Sequence, residues 1–272
     1  YLIITPVHAP ILVFVLVAIL AFVAGLEHAP LTPNLIRKFT EFLLSIFVAL
    51  IIVDIVQDCN QLDRILRGLL IGGTAAALIG LLLYWIPDDI SERFLNSLGR
   101  IGYPTGSVLR YIEDNPANAQ RAIGTSVDPN ALGGLLAMIG ALAAPQLRAR
   151  KPLLGQQWLT RLSFGLIIFT LILTFSRAAL ISLTLAMIVV ALLSHRQLLV
   201  WVIASGLALA ILVPAFAQGY GMHLLDGLHG RGLATQMRFG EYKDAFVLLG
   251  RYPVIGVGFA AAPDIDIYLG VA

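Results

Sequence analysis

The chain has 272 residues, of which 58% are hydrophobic and only 12% charged, and its mean hydropathy is +0.88. A water-soluble domain carries about a quarter charged residues, so this composition excludes an ordinary soluble enzyme and implies an all-α, polytopic bundle of membrane-spanning helices. The formal net charge of +2 excludes nothing, because charge acts loop by loop in a membrane protein, whereas a single cysteine, Cys59, excludes an intramolecular disulfide and a cysteine metal site.

About seven spans are predicted, over 11–26, 42–56, 65–86, 131–144, 162–175, 178–193 and 198–213. A single transmembrane domain over 1–272 is expected, with long extracytoplasmic segments at 87–130 and 214–272. The sequence starts at Tyr1 and stops within an apolar run, so an internal fragment of a longer protein is expected.

The loop after the first span, "GLEHAPLTPN", holds one carboxylate, Glu27, and so cannot supply a catalytic acidic pair. Asp54, at the end of the second span, reads as an interfacial charge. In the third span Gly68, Gly72, Ala76 and Gly80 recur every four residues, which predicts a face for close helix packing. In "ERFLNSLGRIGY" Phe94, Leu95, Leu98 and Ile101 fall at helical spacing beside Arg93 and Arg100. That pattern fits a helix in the membrane interface or an amphipathic cap on the bundle. Further on, Asp128 and Pro129 in "DPN" predict a helix start, Asp as cap and Pro in the first turn.

If the spans alternate, one side receives Arg64, Arg67, Arg148, Arg150, Lys151, Arg161 and Arg196 in short connections, a density that suits the cytoplasm. The other side receives Arg37, Lys38, both long polar segments and Arg177. From Leu162 to Leu193 the only charged residue is Arg177, whose guanidinium cannot shed its proton to escape burial. The run fits two short spans, so a hairpin is predicted with Arg177 at its outer turn and Ser176 capping the second helix. "FSRAA" offers no Gly, Pro or Asn to ease that turn. A cation at the start of a helix is disfavoured by the dipole unless an anion lies nearby.

Three basic positions thus stand on one side: Arg121 in "RAIGTSVDPNALGG", Arg177 in "FSRAA", and Arg238 in "RFGEYKDAFVLLGRYPVIGVGF", where Tyr242 follows one turn later. This order of motifs, over Arg121 to Phe259, resembles the O-antigen ligase and O-antigen polymerase family of membrane glycosyltransferases. The resemblance implies an enzyme of the bacterial cytoplasmic membrane with its site on the extracytoplasmic face. It would take a glycan from an undecaprenyl-pyrophosphate-type carrier and join it to an acceptor glycan or lipid. Arg121, Arg177 and Arg238 match the family's arginines and take from it the role of binding the pyrophosphate, with Tyr242 beside them. Fixed guanidiniums suit that role, since the leaving pyrophosphate gains negative charge in the transition state. The ligases also have a late histidine as general base. Here "AAAPDIDIYLGVA" contains none: either a carboxylate such as Asp266 substitutes, or the base lies beyond Ala272, or this member does not ligate in that way, and a polymerase is favoured over a ligase.

No cofactor, metal or nucleic acid is implied, while membrane lipid and other membrane subunits are candidate partners. His223, Asp226 and His229 lack a fourth metal ligand, "DID" at Asp264–Asp266 lacks a nucleotide domain, and "GVGFAA" reads as a turn. Two alternatives stay open. One is a transporter of a small, bicarbonate-like anion past the same arginines. The other is a structural membrane subunit whose arginines pair with Glu113, Asp128 or a carbonyl.

Overall fold

A computed structural model describes residues 6–27, 31–193, 233–254 and 256–259. In chain order the α-helices are α1 (His8–Gly25), α2 (Pro33–Ile55), α3 (Cys59–Trp85), α4 (Asp88–Ser97), α5 (Pro129–Gln146), α6 (Gln157–Leu173), α7 (Arg177–Leu193) and α8 (Leu233–Arg251). Between α4 and α5 the chain makes a 3-10 turn, Leu98–Ile101, and a short antiparallel ribbon, β1 (Arg110–Tyr111) with β2 (Gln120–Arg121). The candidate spans up to Leu193 all fold as helices, and the one at 198–213 lies outside the described residues. Two of them, α1 and α3, are long and apolar enough to cross a bilayer, with mean hydropathies of 2.5 and 1.9. The chain divides into two compact units, 1–62 with 230–272, and 63–229.

In the first unit, Thr32 caps α2 by accepting from the Leu35 amide at 3.2 Å, and Pro33 opens its first turn. That cap explains why α2 starts well before the apolar run at 42. Aromatic rings join α1 to α2: Phe22 stacks on Phe39 at 4.1 Å, and Phe259 meets Phe39 edge-on at 5.3 Å. After α8 the chain turns on Gly256 and Gly258, with φ of 70° and 94°. A Cβ on Gly25 would sit 2.3 Å from the Gly258 Cα, so only glycines allow α1 to end against this turn.

The second unit is built inside out. Its core joins Leu70 and Ala77 of α3, Leu132, Leu136 and Ile139 of α5, Ile167 and Leu171 of α6, and Ala179 and Leu183 of α7. α5 packs most extensively against α7 and α6. Meanwhile Ile71, Leu82, Met138, Leu162, Ile181 and Leu185 are left half or more exposed. Thr160, Ser163, Thr170 and Thr174 fall at three- and four-residue spacing on the buried face of α6. Apolar residues outward and hydroxyls inward is the arrangement a lipid solvent selects, because small polar side chains bond across helices. Thr170 Oγ1 does this, donating to the Ala77 carbonyl at 3.1 Å. Trp85 and Trp158, at the ends of α3 and α6, are largely exposed, as indoles at a membrane interface are.

The small-residue face of α3 differs from the expected one. Gly68 and Gly72 face open space, whereas Leu70, Gly73, Ala77 and Gly80 are the buried set. Residues four apart drift around a 3.6-residue helix, so a contact seam follows three-four spacing instead. A Cβ on Gly73 would lie 2.6 Å from Ile139, and one on Gly80 3.1 Å from Leu132 and Thr170. Beside this seam, α4 and the 3-10 turn pack as an amphipathic cap, one of the two expectations for their stretch. Leu95 is fully buried against Leu83, Val108, Leu109 and Ile123, while Phe94 and Ile101 point outward.

Gly73→Val should wedge α3 from α5 and lower stability by about 1–3 kcal/mol, whereas Gly68→Ala should leave it unchanged or slightly raised. Thermal unfolding of the two variants in detergent checks this; equal losses would return the seam to the four-residue row.

Candidate functional site

Residues of the second unit assemble at the end of the bundle where α6 hands over to α7. α6 closes at Leu173 and α7 opens at Arg177, so the predicted hairpin forms with Thr174, Phe175 and Ser176 as its whole turn. With no glycine available, Phe175 takes the left-handed conformation, φ 49°, at a cost of order 1 kcal/mol. The tightness is compensated by bonds around it. The Ser176 amide donates to Thr174 Oγ1 at 3.2 Å, that hydroxyl donates to the Leu171 carbonyl at 2.7 Å, and the Leu180 amide donates to the Ser176 carbonyl at 3.1 Å. Gly133 of α5 lets the turn come in: a Cβ there would meet Ser176 and Ala179 at 3.0 Å.

The second element is β2. The Ala122 amide donates to the Leu173 carbonyl at 2.8 Å, and Arg121 Nε donates to the Thr174 carbonyl at 2.8 Å. These are terminal carbonyls of α6, which have no intrahelical donor and carry the negative end of its dipole, so a guanidinium is well placed there. Arg121 Nη2 also reaches Asn130 Oδ1 at 3.1 Å. Asn130 stands in the first turn of α5, whose start follows the expected chemistry: Asp128 accepts from the Asn130 and Ala131 amides, and Pro129 follows it. Gly124, at φ 54°, carries the chain between β2 and that cap, against the backbone of Gly80.

Two of the arginines singled out from sequence therefore meet at one turn. Arg121 is bonded three residues before Arg177, and Arg177 lies half-buried at the first position of α7. The two tasks at this turn are separate. Arg121 answers the negative end of α6, while the positive end of α7, with Arg177 on it, favours an anion. Arg238 and Tyr242 sit one turn apart on α8 in the other unit, both exposed. Asp266, like His223, Asp226 and His229, lies outside the described residues.

Thr174 and Asn130 were not legible as site residues, since a carbonyl and an amide acquire their roles only through packing. The same is true of Arg110, which the ribbon register pairs with Arg121. Nearby, burial raises the Tyr103 hydroxyl above the ordinary tyrosine range, opposed in part by the Val127 amide and the Arg110 charge. An apolar groove of about 520 Å³, lined by Arg67, Ile71, Leu78, Leu154 and Leu159 among others, lies toward the opposite end of α6 from the Arg121–Arg177 turn.

Comparison with known proteins bears on the same turn. Residues 162–270 match the family model described as O-antigen ligase. Over this segment the chain is similar to the O-antigen ligase family. The segment contains Arg177, Arg238, Tyr242 and Asp266 but begins after Arg121, and it covers less than half of the chain. The match and the apolar helices support an integral membrane protein of O-antigen ligase or polymerase type, a family that handles lipid-linked glycans in general. Neither the curated proteins nor the solved structures compared gave a match.

Arg121→Ala should leave the buried Thr174 carbonyl without its charged donor and cost about 1–3 kcal/mol, whereas Asn130→Ala removes only the outer bond and should cost about 1 kcal/mol or less. Thermal midpoints of the purified variants decide; an Arg121→Ala protein as stable as the parent would deny the clamp.

Proposed function

We propose that the protein is a glycosyltransferase of the bacterial cytoplasmic membrane, working on its extracytoplasmic face. It moves a glycan from an undecaprenyl-pyrophosphate-type carrier to an acceptor glycan or lipid. The observation that carries this reading is the placement of Arg177, within the family-matched segment, on a turn that Arg121 holds by bonding the Thr174 carbonyl.

In the proposed step an acceptor hydroxyl attacks the anomeric carbon of the donor glycan. The bond from that carbon to the carrier pyrophosphate breaks, and the lipid pyrophosphate departs with the electron pair. The hydroxyl proton passes to a carboxylate, for which we assign Asp266. Charge therefore builds on the leaving pyrophosphate, and a guanidinium already in place stabilises it without reorganisation. Arg177 takes that role. Arg121 contributes mainly by fixing the turn, and Arg238 with Tyr242 on α8 is assigned to the same lipid-linked donor. A polymerase, whose acceptor is a second carrier-linked glycan, is favoured over a ligase because the family's histidine is not at its expected place. The chemistry assigned to these residues uses no metal.

The reading is tested by reconstituting the full-length protein with polyprenyl-pyrophosphate-linked glycan and following glycan length on the carrier. Arg177→Ala should slow transfer roughly a hundredfold or more while the protein remains folded. Transfer at the parent rate in that variant would overturn the assignment of Arg177.

A further inference from the structure

The groove at the far end of the second unit has a charged mouth and an apolar floor. On α3 its lining residues Arg67, Ile71, Thr74 and Leu78 recur at three- and four-residue spacing, so they form one helix face. That face is distinct from the seam of Leu70, Gly73, Ala77 and Gly80, which packs inside the bundle. Leu154, in the connection into α6, and Leu159, on α6 itself, make the facing wall. The Thr74 hydroxyl is satisfied within α3, donating to the Leu70 carbonyl at 2.6 Å. Beyond Arg67 the groove is therefore chiefly hydrocarbon. Ile71 and Leu78 remain 54% and 47% exposed, so it opens sideways from the helix.

Helix rise sets its depth. α3 is long and apolar enough to cross a bilayer, and from Arg67 to Trp85 it rises about 27 Å, close to the hydrocarbon thickness of about 30 Å. Trp85, largely exposed, marks one interface, and Arg67 stands at the level of the other. From Arg67 to Leu78 the rise is about 16 Å, so the groove runs from one headgroup region to the middle of the bilayer. That is the reach of an acyl chain in a single leaflet.

The mouth is cationic. Arg64, Arg67, Arg148, Arg150, Lys151 and Arg161 are all exposed, and over 63–72 and 146–163 they stand against the single carboxylate of Asp63. Cations confined to connecting loops would record only the orientation of the spans. Arg67 differs, because it lies about two turns inside α3 and lines the groove itself. A basic mouth between helices, continued by an apolar channel one leaflet deep, is complementary to a lipid with an anionic headgroup.

We infer that this groove holds one anionic phospholipid, with an acyl chain along Ile71 and Leu78 and the headgroup phosphate at Arg67. The site is remote from the Arg121–Arg177 turn and does not depend on the transferase reading.

The test uses the full-length protein in detergent, with phosphatidylglycerol and phosphatidylcholine of identical acyl chains as probes. Bound lipid is counted by native mass spectrometry, and the thermal midpoint is followed in parallel. The parent should bind phosphatidylglycerol more tightly than phosphatidylcholine, and the preference should shrink as salt rises. Arg67→Gln should weaken phosphatidylglycerol roughly fivefold and leave phosphatidylcholine unchanged. Ala75→Phe, at an exposed position in the groove, should weaken both lipids by blocking the chain, with the lipid-free midpoint unchanged. Arg67→Gln alters only an exposed side chain, so it decides the matter even where the bulkier variant fails to fold. Equal affinity of the parent for the two lipids overturns the inference, as does undiminished phosphatidylglycerol binding in Arg67→Gln. A polyprenyl phosphate that displaces phosphatidylglycerol at equal concentration overturns the assigned occupant. A parent that binds neither lipid while Ala75→Phe lowers its midpoint also overturns it, and gives the groove to protein, either the 198–213 stretch or a second copy of the chain.

Discussion

The bond from Arg121 to the Thr174 carbonyl is the constraint on which the site depends. Without it, the Ala122 amide would be left as the ribbon's hydrogen bond to the end of α6, and the buried Thr174 carbonyl would lose its guanidinium donor. With it, four sequence-distant pieces become one object: the ribbon, the α6–α7 turn, the first turn of α5 and the small-residue seam of α3. A guanidinium can do this because its donors are fixed in a plane, one turned toward the carbonyl and one toward the Asn130 amide oxygen. A lysine would offer charge without that geometry.

Around this bond the bundle follows the logic of a lipid solvent. Nothing in hydrocarbon drives two apolar helices together, so contact comes from close fit and from hydroxyls that find partners across the gap. Gly73 and Gly80 supply the fit on α3, and Thr170 supplies the bond from α6. Gly133 extends the same device to the end of the bundle, where it admits the turn carrying Ser176. The packing that holds the helices is therefore continuous with the packing that places Arg177.

Much of this was legible in the chain. The isolated cation in a run too long for one span implied a hairpin, and the Asp-Pro pair implied a helix start, since both signals are local and strong. The turn itself was less legible, because Phe175 adopts a backbone conformation that its side chain does not favour and neighbouring bonds impose. The seam on α3 was legible only in part: Gly80 packs as expected while Gly68 and Gly72 face open space, since a four-residue recurrence of glycine marks opportunity and not contact. Arg110 gave no signal at all. Two-residue strands have no period to detect, and the pairing of Arg110 with Arg121 exists only as a register set by the turn between them.

The meeting of Gly25 and Gly258 also bears on how the chain is made. The two glycines are separated by more than two hundred positions, and synthesis proceeds at roughly 5–20 residues per second. For some tens of seconds, then, the end of α1 exists while the turn that covers it has not yet been translated. During that interval Phe39 and Phe42 lack the ring of Phe259. The first unit is thus completed only after the residues of the second unit have been made, although α1 and α2 precede them in the chain.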